Sequence, residues 1–550
     1  MSDQNPQHSL TAPAQSHLTR RQFVKLGVSA SASALWLAAC GPAPATPTTA
    51  PTQVSGSIKP PALKKGGVFK VAIIGEPPAI ADAMFTTATV TSNVAMQFFE
   101  GLFTRDAKFS PKPVLVDQYN IAPDGKTYEF KLRKSIKFHN GKPLEAADVA
   151  ASLERWGALT GRGQTIFKRL DKIETPDAQT VKINFKDPTG ILLDYLALPE
   201  AFILPAEIAK AAGKDALKKD QFVGTGPFKF TEYIADRFIR LTRYDGYAPR
   251  DENPDGASGK REPYFDEIQF IPVPDSSVRA NGIITGEYHY ADTLPPDQYD
   301  VLKGSNGVVT IVVKPYYWYC PHFNKKKGLF TNEKMRHAVA ACINAEEAMI
   351  AGFGNKDFIR VDGGIDAPET AWYSTAGFEN FNKPDLNRAK QLLKDAGYNG
   401  ETIRWLATKE YDYNYKMAEY SKQKMEAAGM KVELVVSDWA TLVKNRANPD
   451  VYEIFLTGHA SYVHPATHPF MAESWPGFWS SPARDAVLNK IIAEPDLAKQ
   501  KPLYDELQAV VYKEMPFVKC GDNFLLRAMR KDVVNYQNIP DYYFWNVGFA

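Results

Sequence analysis

Residues 123–141 read PDGKTYEFKLRKSIKFHNG, and they carry the clearest structural signals in the chain. The opening Pro-Asp-Gly is typical of a turn, and the alternation of apolar and polar residues over 127–133 predicts a β-strand. A second strand is predicted over 136–139, and the Asn-Gly pair that follows it predicts a hairpin turn. Apolar residues at helical spacing over 144–153 then predict a helix.

The same mixture of elements extends toward the N-terminus. β-Branched residues over 68–74 predict a strand, which the Gly-Glu-Pro-Pro run at 75–78 ends. Residues 90–99 predict a helix that ends at Gly101. At 550 residues the chain exceeds what one hydrophobic core usually serves, so two or three domains are expected.

The composition is that of a soluble globular protein, with 44% hydrophobic and 23% charged residues. The formal net charge is +2 and falls to about zero without the first 39 residues, so neither nucleic acid nor a polybasic membrane patch is indicated. Aromatic residues make up 12% of the chain, and many lie beside polar residues. That pattern suits a pocket for an amphipathic ligand.

The first forty residues predict an exported lipoprotein. Arg20 and Arg21 precede a mildly apolar run at 26–39 that is too short to span a bilayer, as in a twin-arginine signal peptide. The run ends in Leu-Ala-Ala-Cys, which resembles a bacterial lipobox with Cys40 as the acylated residue. Residues 1–39 are therefore the predicted signal peptide, and the Pro-, Ala- and Thr-rich residues 40–63 a tether.

The other three cysteines do not form a disulfide framework. Cys320, Cys342 and Cys520 allow at most one internal disulfide and leave one thiol over. Their spacing matches no metal-finger pattern.

Several motifs, taken in order, resemble extracellular solute-binding protein family 5, which comprises the oligopeptide-, dipeptide- and nickel-binding proteins of ABC importers. The resemblance covers the chain from Gly66 to its end. Its motifs are the block at 123–153, the glycine-rich strand entry at 223–230, the region at 277–292, the helix at 332–344 and the helix at 387–398.

The resemblance implies an α/β, two-lobed periplasmic-binding-protein fold of type II, in its large three-domain variant. It places lobe I at 64–106, 192–318 and 520–550, an inserted domain at 107–191, and lobe II at 319–519. The residues alone allow a boundary near Lys314-Pro315 and do not show that the C-terminus returns to lobe I.

The chain predicts a binder rather than an enzyme. It contains no Gly-x-Ser-x-Gly elbow, no His-Glu-x-x-His and no phosphate-cradling glycine loop. No nucleophile, base and orienting group form a recognisable set, and no cofactor is expected. By the resemblance, the solute lies between the lobes and is held by backbone hydrogen bonds and roomy pockets.

The resemblance also assigns candidate ligand-binding residues. Trp439 matches a tryptophan that lines a side-chain pocket, and Arg446 an arginine near the C-terminal side of the ligand. Other candidates are the segment Gly458, His459, Ala460 and Ser461, together with Pro78, Ala79, Tyr316, Trp318 and Tyr319. The three aromatic residues at 316, 318 and 319 could stack on sugar faces or apolar side chains, or pack in the core at a lobe junction.

The pattern departs from the peptide binders at Ser461, where they place an aspartate that pairs with the ligand ammonium. Phe455 stands at the second arginine position, and His464-Pro465 replaces an Asp-Pro. An unpaired buried cation is costly, so a ligand without a free amino terminus is chemically easier here. An oligosaccharide, an opine-like conjugate or a blocked peptide would qualify.

Three histidines, His459, His464 and His468, fall within ten residues, as at transition-metal sites. Two His-Pro pairs in this segment favour an extended, solvated loop instead, and no metal site is predicted. The leading interpretation is a peptide-importing lipoprotein, acting as a monomer with an ABC permease outside the cytoplasm. A carbohydrate or opine carrier, a nickel-chelate carrier and an extracytoplasmic sensor are the alternatives.

Overall fold

The structure is a computed structural model that describes residues 63–86, 88–409, 411–437 and 439–550. The side chains of residues 412, 439 and 440 are outside this description. The predicted signal peptide, Cys40 and nearly all of the predicted tether also lie outside the described residues.

Strands and helices alternate along the described chain. The strands are β1 (Val68–Ile73), β2 (Phe103–Arg105), β3 (Pro111–Pro113), β4 (Val116–Ile121), β5 (Thr127–Leu132), β6 (Leu170–Asp177), β7 (Thr180–Phe185), β8 (Phe228–Ile234), β9 (Phe238–Arg243), β10 (Glu267–Pro272), β11 (Tyr290–Leu294), β12 (Val308–Phe323), β13 (Ile359–Arg360), β14 (Thr402–Ala407), β15 (Lys431–Val436), β16 (Ile454–Ala460), β17 (Gly521–Arg530), β18 (Val533–Val534) and β19 (Gly548–Phe549).

The helices are α1 (Thr89–Ala95), α2 (Ala146–Leu159), α3 (Gly161–Phe167), α4 (Leu192–Leu196), α5 (Ala206–Ala212), α6 (Ser276–Thr285), α7 (Tyr299–Gly304), α8 (Glu333–Ala340), α9 (Ala345–Phe353), α10 (Leu386–Ala396), α11 (Asp412–Ala427), α12 (Trp439–Arg446), α13 (Pro482–Ala493) and α14 (Leu497–Glu514). Short 3-10 turns lie at Lys219–Gln221, Pro296–Gln298, Leu329–Thr331, Lys356–Phe358, Phe378–Asn380, Pro465–Thr467 and Pro469–Met471. In the described part of the chain, none of the helices has both the length and the apolar character that a membrane span requires.

One large mixed sheet connects most of the strands, in the order β15-β14-β16-β12-β17-β11-β1-β10-β9-β8, with β13 added beside β17. Its two ends contain parallel pairs, β14 with β15 and β1 with β10. Its middle strands pair antiparallel, β12 with both β16 and β17. The strand predicted at 68–74 is β1, and its burial on both faces explains its continuous apolar sequence.

The long strands β12 and β17 run through the middle of this sheet. The first half of β12 pairs with β17 beside β11, and its second half pairs with β16. The register of β12 against β17 shifts between Val313 and Tyr317, which brackets the boundary predicted at Lys314-Pro315. Such a shift bends a strand and increases its twist, so the two ends of the sheet turn away from each other here.

A separate antiparallel sheet, β4-β5-β7-β6, packs against α2. The strand predicted over 127–133 is β5 and the helix predicted over 144–153 is α2. The hairpin turn predicted at Asn140-Gly141 also forms, since the amide of Phe138 donates to the carbonyl of Lys142 and that of Leu144 to the carbonyl of Ile136. Its pairing is a single bridge between Lys137 and Pro143, shorter than the predicted strand. The backbone and imidazole of His139 bond instead to Gly224 and Gly226, which draws this residue away from the turn.

The helix predicted over 90–99 is also shorter than expected, since α1 ends at Ala95. The carbonyl groups of Gln97 and Phe98 accept hydrogen bonds from Phe228 and Gly226. These partners are distant in sequence, so tertiary pairing ends the helix before its own turn pattern does.

Candidate functional site

The sheet register brings two predicted segments together. On β12 and β16, Tyr319 is paired with Gly458, Trp318 with His459, and Tyr317 with Ala460. Gly458 is needed there because a Cβ atom at this position would lie 2.7 Å from the Tyr319 ring. The aromatic run of β12 and the 458–461 segment are therefore neighbours, as a shared site requires.

Trp318 and Tyr319 belong to the core in this structure. Trp318 is fully buried, with ring centroids of His459 at 4.7 Å and Phe517 at 5.1 Å. Tyr319 packs at 4.7 Å from Tyr413. Tyr316 is half-buried, and its ring stacks on Tyr317 at 4.5 Å. Of the three aromatic candidates, Tyr316 thus keeps the most accessible ring.

Ser461 is fully buried and bonded to the backbone of β12. Its amide and its hydroxyl both donate to the carbonyl oxygen of Tyr316, at 2.9 and 3.0 Å. Its own carbonyl accepts from the amide of Ala367 at 2.8 Å. The side chain therefore fastens the end of β16 to β12.

Arg446 lies at the end of α12 and is half-buried. Its guanidinium is 5.6 Å from the ring centroid of Phe455 and 5.7 Å from that of Trp475, as in cation–π contacts. Burial lowers the pKa of Arg446. Phe455 stands where the expected pattern has an arginine, and its ring packs against the guanidinium of Arg446. The side chain of Trp439, in the first turn of α12, is outside the described residues.

Pro78 and Ala79 form an unusual turn after β1. Pro78 is exposed and its carbonyl accepts from the Thr91 hydroxyl at 2.8 Å. Ala79 and Ile80 both have left-handed backbones, with φ of 55° and 59°. Each such residue costs on the order of 1 kcal/mol or more, and this kind of strain clusters at ligand clamps.

The three histidines at 459–468 do not lie in a solvated loop, contrary to the sequence-based expectation. All three are buried, and each bonds to a different partner. His459 meets His322 with 2.8 Å between their Nε2 atoms, His464 meets the Tyr504 hydroxyl at 2.6 Å, and His468 meets Asp366 at 3.2 Å. Apolar neighbours such as Phe470 draw this segment into the core.

A different trio offers metal-ligating atoms. Cys320, His322 and His459 are buried, and their ligating atoms all lie within 4.8 Å of one another. Burial lowers the pKa of both imidazoles well below its usual value and raises that of the Cys320 thiol well above. The two neutral imidazoles already satisfy each other by a hydrogen bond, so the trio has a sufficient structural role without an ion.

A cavity that the sequence did not predict lies beside Arg105 and Asp541. Its volume is about 60 Å³, which is room for water molecules and not for a peptide. Its wall is largely aromatic, built from Phe99, Phe103, Phe109, Phe202 and Trp545.

Tyr462, directly after Ser461, contacts three residues of the cavity wall. Its hydroxyl donates to Asp541 Oδ1 at 3.3 Å, and its ring centroid is 5.3 Å from that of Phe109. The guanidinium of Arg105 is 6.0 Å from the same tyrosine ring. Tyr462 belongs to predicted lobe II, whereas Arg105 and Asp541 belong to predicted lobe I.

Some charged groups on the cavity wall are fully occupied by the protein itself. Glu100 pairs with Arg261 at 3.0 Å and accepts from the hydroxyls of Thr225 and Tyr247. Asp106 accepts two backbone amides and lies 3.5 Å from Lys112. These groups are structural.

Arg105 and Asp541, which line the cavity, and Asp194, which does not, differ from those groups. None of the three has an ion-pair partner within 4 Å among the described residues. Burial raises the pKa of Asp541, and the nearby Arg105 guanidinium opposes this most strongly. Burial also raises the pKa of Asp194, opposed by His464 and Arg105. Burial lowers the pKa of Arg105, opposed first by Asp541.

No sequence signal marks these three residues. Each is a single charged residue on a short element or in the C-terminal segment, and they are up to 436 positions apart. Only the return of the chain after β17 places Asp541 beside β2. Sequence reasoning therefore found the segment next to the cavity and missed the charges inside it.

Comparison with known proteins identifies the fold and the family. Residues 110–481 match the family of bacterial extracellular solute-binding proteins, family 5, in its middle region. The chain belongs to this family. Its members are binding proteins for transport outside the cytoplasm, so the prediction of a solute binder rather than an enzyme is confirmed.

Individual relatives agree over most of their length. The chain is 28% identical over 479 residues to a probable peptide ABC transporter periplasmic-binding protein of Sinorhizobium fredii, covering 82% of this chain and 88% of that protein. It resembles the structure of AgaA of A. tumefaciens R10 in complex with agropinic acid, with a TM-score of 0.74, 25% identity, and 88% and 99% coverage. It also resembles DppA of Helicobacter pylori in complex with the peptide STSA, with a TM-score of 0.75, 23% identity, and 88% and 98% coverage. These likenesses confirm the two-lobed fold of type II.

Proposed function

We propose that this protein is the substrate-binding lipoprotein of an ABC importer, and that it captures a peptide or peptide-like solute between two lobes. The observation that carries the proposal is the match of residues 110–481 to the extracellular solute-binding proteins of family 5. The peptide ABC transporter relative supports the solute class.

The proposed mechanism is hinge closure. Lobe I would comprise 64–106, 192–318 and 520–550, the inserted domain 107–191, and lobe II 319–519. The continuous strands β12 and β17, with their register shift between Val313 and Tyr317, are suited to act as the hinge. A solute held by both lobes stabilises the closed population, which the permease then recognises.

The test is mass spectrometry of the solute that copurifies with the native protein, followed by calorimetry with that solute. A peptide that binds with one-to-one stoichiometry supports the proposal. Recovery of a purely inorganic or lipid ligand, or binding of none of the peptides and sugars tried, contradicts it.

An opine-type conjugate is the second candidate solute. The likeness to AgaA, which was solved with agropinic acid, supports it. The accessible ring of Tyr316, stacked on Tyr317, provides a surface for a sugar-derived face. The same mass spectrometry experiment distinguishes the two candidates by the mass and fragments of the solute.

We also propose export through the twin-arginine signal and anchoring by lipid at Cys40, both inferred from sequence. Replacing Cys40 by serine is expected to release the protein from the membrane fraction without affecting the folded domain. A Cys40→Ser protein that stays in the membrane fraction as firmly as the wild type would contradict the lipid anchor.

A further inference from the structure

One cluster of buried side chains, Cys320, His322 and His459, brings three metal-binding atoms together. Cys320 and His322 lie two residues apart on β12, so their side chains project from the same face of the sheet. His459 lies on β16 and is paired with Trp318. The two imidazoles therefore approach each other from either side of Cys320, with 2.8 Å between their Nε2 atoms. The ligating atoms of all three residues lie within 4.8 Å of one another.

The hydrogen bond between the imidazoles already holds these donor atoms close together. It requires one imidazole to donate from Nε2 and the other to accept. Metal–nitrogen bonds of about 2.0–2.1 Å and metal–thiolate bonds of about 2.3 Å set ligand atoms roughly 3.3–3.8 Å apart. The two Nε2 atoms would have to separate by only about 0.5 Å to reach that spacing. Small rotations of the rings and an approach of the thiol thus convert the cluster into a three-ligand site.

Aromatic rings surround the cluster and exclude water from it. The ring centroid of Trp475 lies 4.9 Å from that of His322 and 5.4 Å from that of His459. Phe470 lies 6.0 and 4.9 Å from the same two rings. Thiolate and imidazole ligands in such a setting select a soft ion, Cu(I) or Zn(II), over the hard cations that oxygen ligands hold.

Charge distinguishes between these two ions. The charged side chains that act most strongly on Cys320 are Lys519 and Lys325, and those that act on His322 are Lys325 and Arg446. All are basic, and none is a carboxylate. Cu(I) held by one thiolate and two neutral imidazoles forms a neutral unit, whereas Zn(II) would leave a positive charge in the interior. A buried charge without a partner is costly, so these surroundings favour Cu(I).

We propose that Cys320, His322 and His459 bind one Cu(I) ion that stays with the protein and ties β12 to β16. On binding, the Cys320 thiol releases its proton to solvent, and the imidazole that donated from Nε2 carries its proton on Nδ1 instead. Of the three histidines at 459–468, only His459 takes part, since His464 and His468 bond to Tyr504 and Asp366. This inference goes beyond the proposed function and holds for any class of solute.

The experiment measures Cu(I) binding by the full-length chain with Cys40→Ser, in which Cys320, Cys342 and Cys520 are the remaining thiols. Cu(I) is supplied without oxygen as its bicinchoninate complex, and loss of the colour of that complex reports transfer to the protein. We expect one Cu(I) ion per chain, retained through dialysis. X-ray absorption at the copper edge should show one sulfur and two nitrogen ligands.

Variants of the ligands test which residues hold the ion. Cys320→Ser and His459→Gln should each weaken Cu(I) binding about 100-fold or more, because each removes one of three ligands. Cys342→Ser and His464→Gln are the matched controls, since they remove the same groups from buried positions outside the cluster. Both controls should keep the affinity of the parent chain, and circular dichroism checks that all four variants fold.

Three results would overturn the proposal: a copper content well below one ion per chain, an absorption spectrum without sulfur, or equal affinity in Cys320→Ser and its parent. The first two are measured on the parent chain and do not depend on the folding of a variant. Stoichiometric Zn(II) with no transfer of Cu(I) would overturn the choice of a monovalent ion. The proposed function is judged separately, by the organic solute that copurifies with the native protein.

Discussion

At the scale of single residues, Asp82 and Arg155 form a buried ion pair that joins predicted lobe I to the predicted inserted domain. Both side chains are almost fully buried, and Asp82 Oδ2 lies 2.7 Å from Arg155 Nη2. The same carboxylate accepts the backbone amides of Met84 and Leu217. Without this carboxylate, the Arg155 guanidinium and the two backbone amides would lose a hydrogen-bond acceptor in the protein interior, which is costly.

Replacement of Asp82 by alanine is therefore expected to lower the free energy of unfolding by about 3–5 kcal/mol, the usual cost of leaving a buried charge unpaired. Urea denaturation of the purified domain measures the change. Asp297→Ala, at an exposed position, should alter stability by less than about 0.5 kcal/mol. A loss below about 1 kcal/mol in Asp82→Ala would show that the pair is not held as described.

Buried histidines should make stability depend on pH. Burial lowers the pKa of His139 to about 4, and it lowers those of His322, His459 and His464 in the same direction. Below the ordinary histidine pKa of about 6.5, the unfolded chain binds protons that these folded side chains do not. Stability is therefore complete above that pH and falls as the pH drops below it, by up to about 1.4 kcal/mol per unit for each histidine.

The midpoint of thermal unfolding should accordingly fall between pH 7 and pH 5.5. His139→Gln, which removes one such group, should show a shallower decrease than the wild type, whatever its stability at pH 7. Asn387→Gln, an exposed change that leaves every histidine in place, is the control and should keep the wild-type slope. Equal slopes in His139→Gln and the wild type would contradict this account of His139.

At the scale of elements, the glycine-rich entry at 223–230 owes its composition to a close approach of two backbones. A Cβ atom on Gly224 would overlap the carbonyl oxygen of Phe98, and one on Gly226 would lie 2.8 Å from the same group. The carbonyl of Phe98 accepts the amide of Gly226, which also ends α1 early. The glycines thus serve packing, not ligand binding.

Gly224→Ala is expected to destabilise the protein by 2 kcal/mol or more, roughly the cost of forcing backbone out of a close-packed contact. Gly161→Ala is the matched control, because a Cβ atom at Gly161 would meet nothing within 4 Å. Differential scanning calorimetry of the two variants measures the contrast. Similar melting temperatures for Gly224→Ala and Gly161→Ala would mean that the backbone at Phe98 can move to accommodate a Cβ atom at little cost.

At the scale of the whole molecule, the contact between Tyr462 and Asp541 crosses between the predicted lobes. It is a single hydrogen bond of 3.3 Å, reinforced by the packing of the ring on Phe109. Hydrogen bonds to charged groups contribute about 1.5–3 kcal/mol. A contact of this strength is large enough to shift the balance between open and closed states.

Addition of the copurifying solute should reduce the radius of gyration of the wild type in small-angle X-ray scattering. Tyr462→Ala should need about tenfold or more solute for the same compaction, because it loses both the hydrogen bond and the ring contact. Tyr411→Ala, at an exposed position on predicted lobe II, is the control. If Tyr462→Ala becomes compact at the same solute concentration as the wild type, Tyr462 does not contribute to closure.

The local sequence pattern predicted an element correctly where that element is stabilised mainly by its own residues. β1, β5 and α2 lie where alternation and helical spacing predict them. The pattern overestimated the lengths of α1 and of the strand at 136–139, because Phe98 and His139 bond to a segment more than eighty positions away. The histidine segment was misjudged for the same reason, since its burial depends on rings from other elements.

The amino-acid sequence by itself determined the family and the two-lobed class of fold, because ordered local motifs specify elements and their succession. Only the tertiary structure decided which charges face the cavity. Arg105 and Asp541 line the same cavity because the chain returns through β17 to its first domain. Whether a charged residue is open to a solute depends on what surrounds it in space, and no local pattern records that.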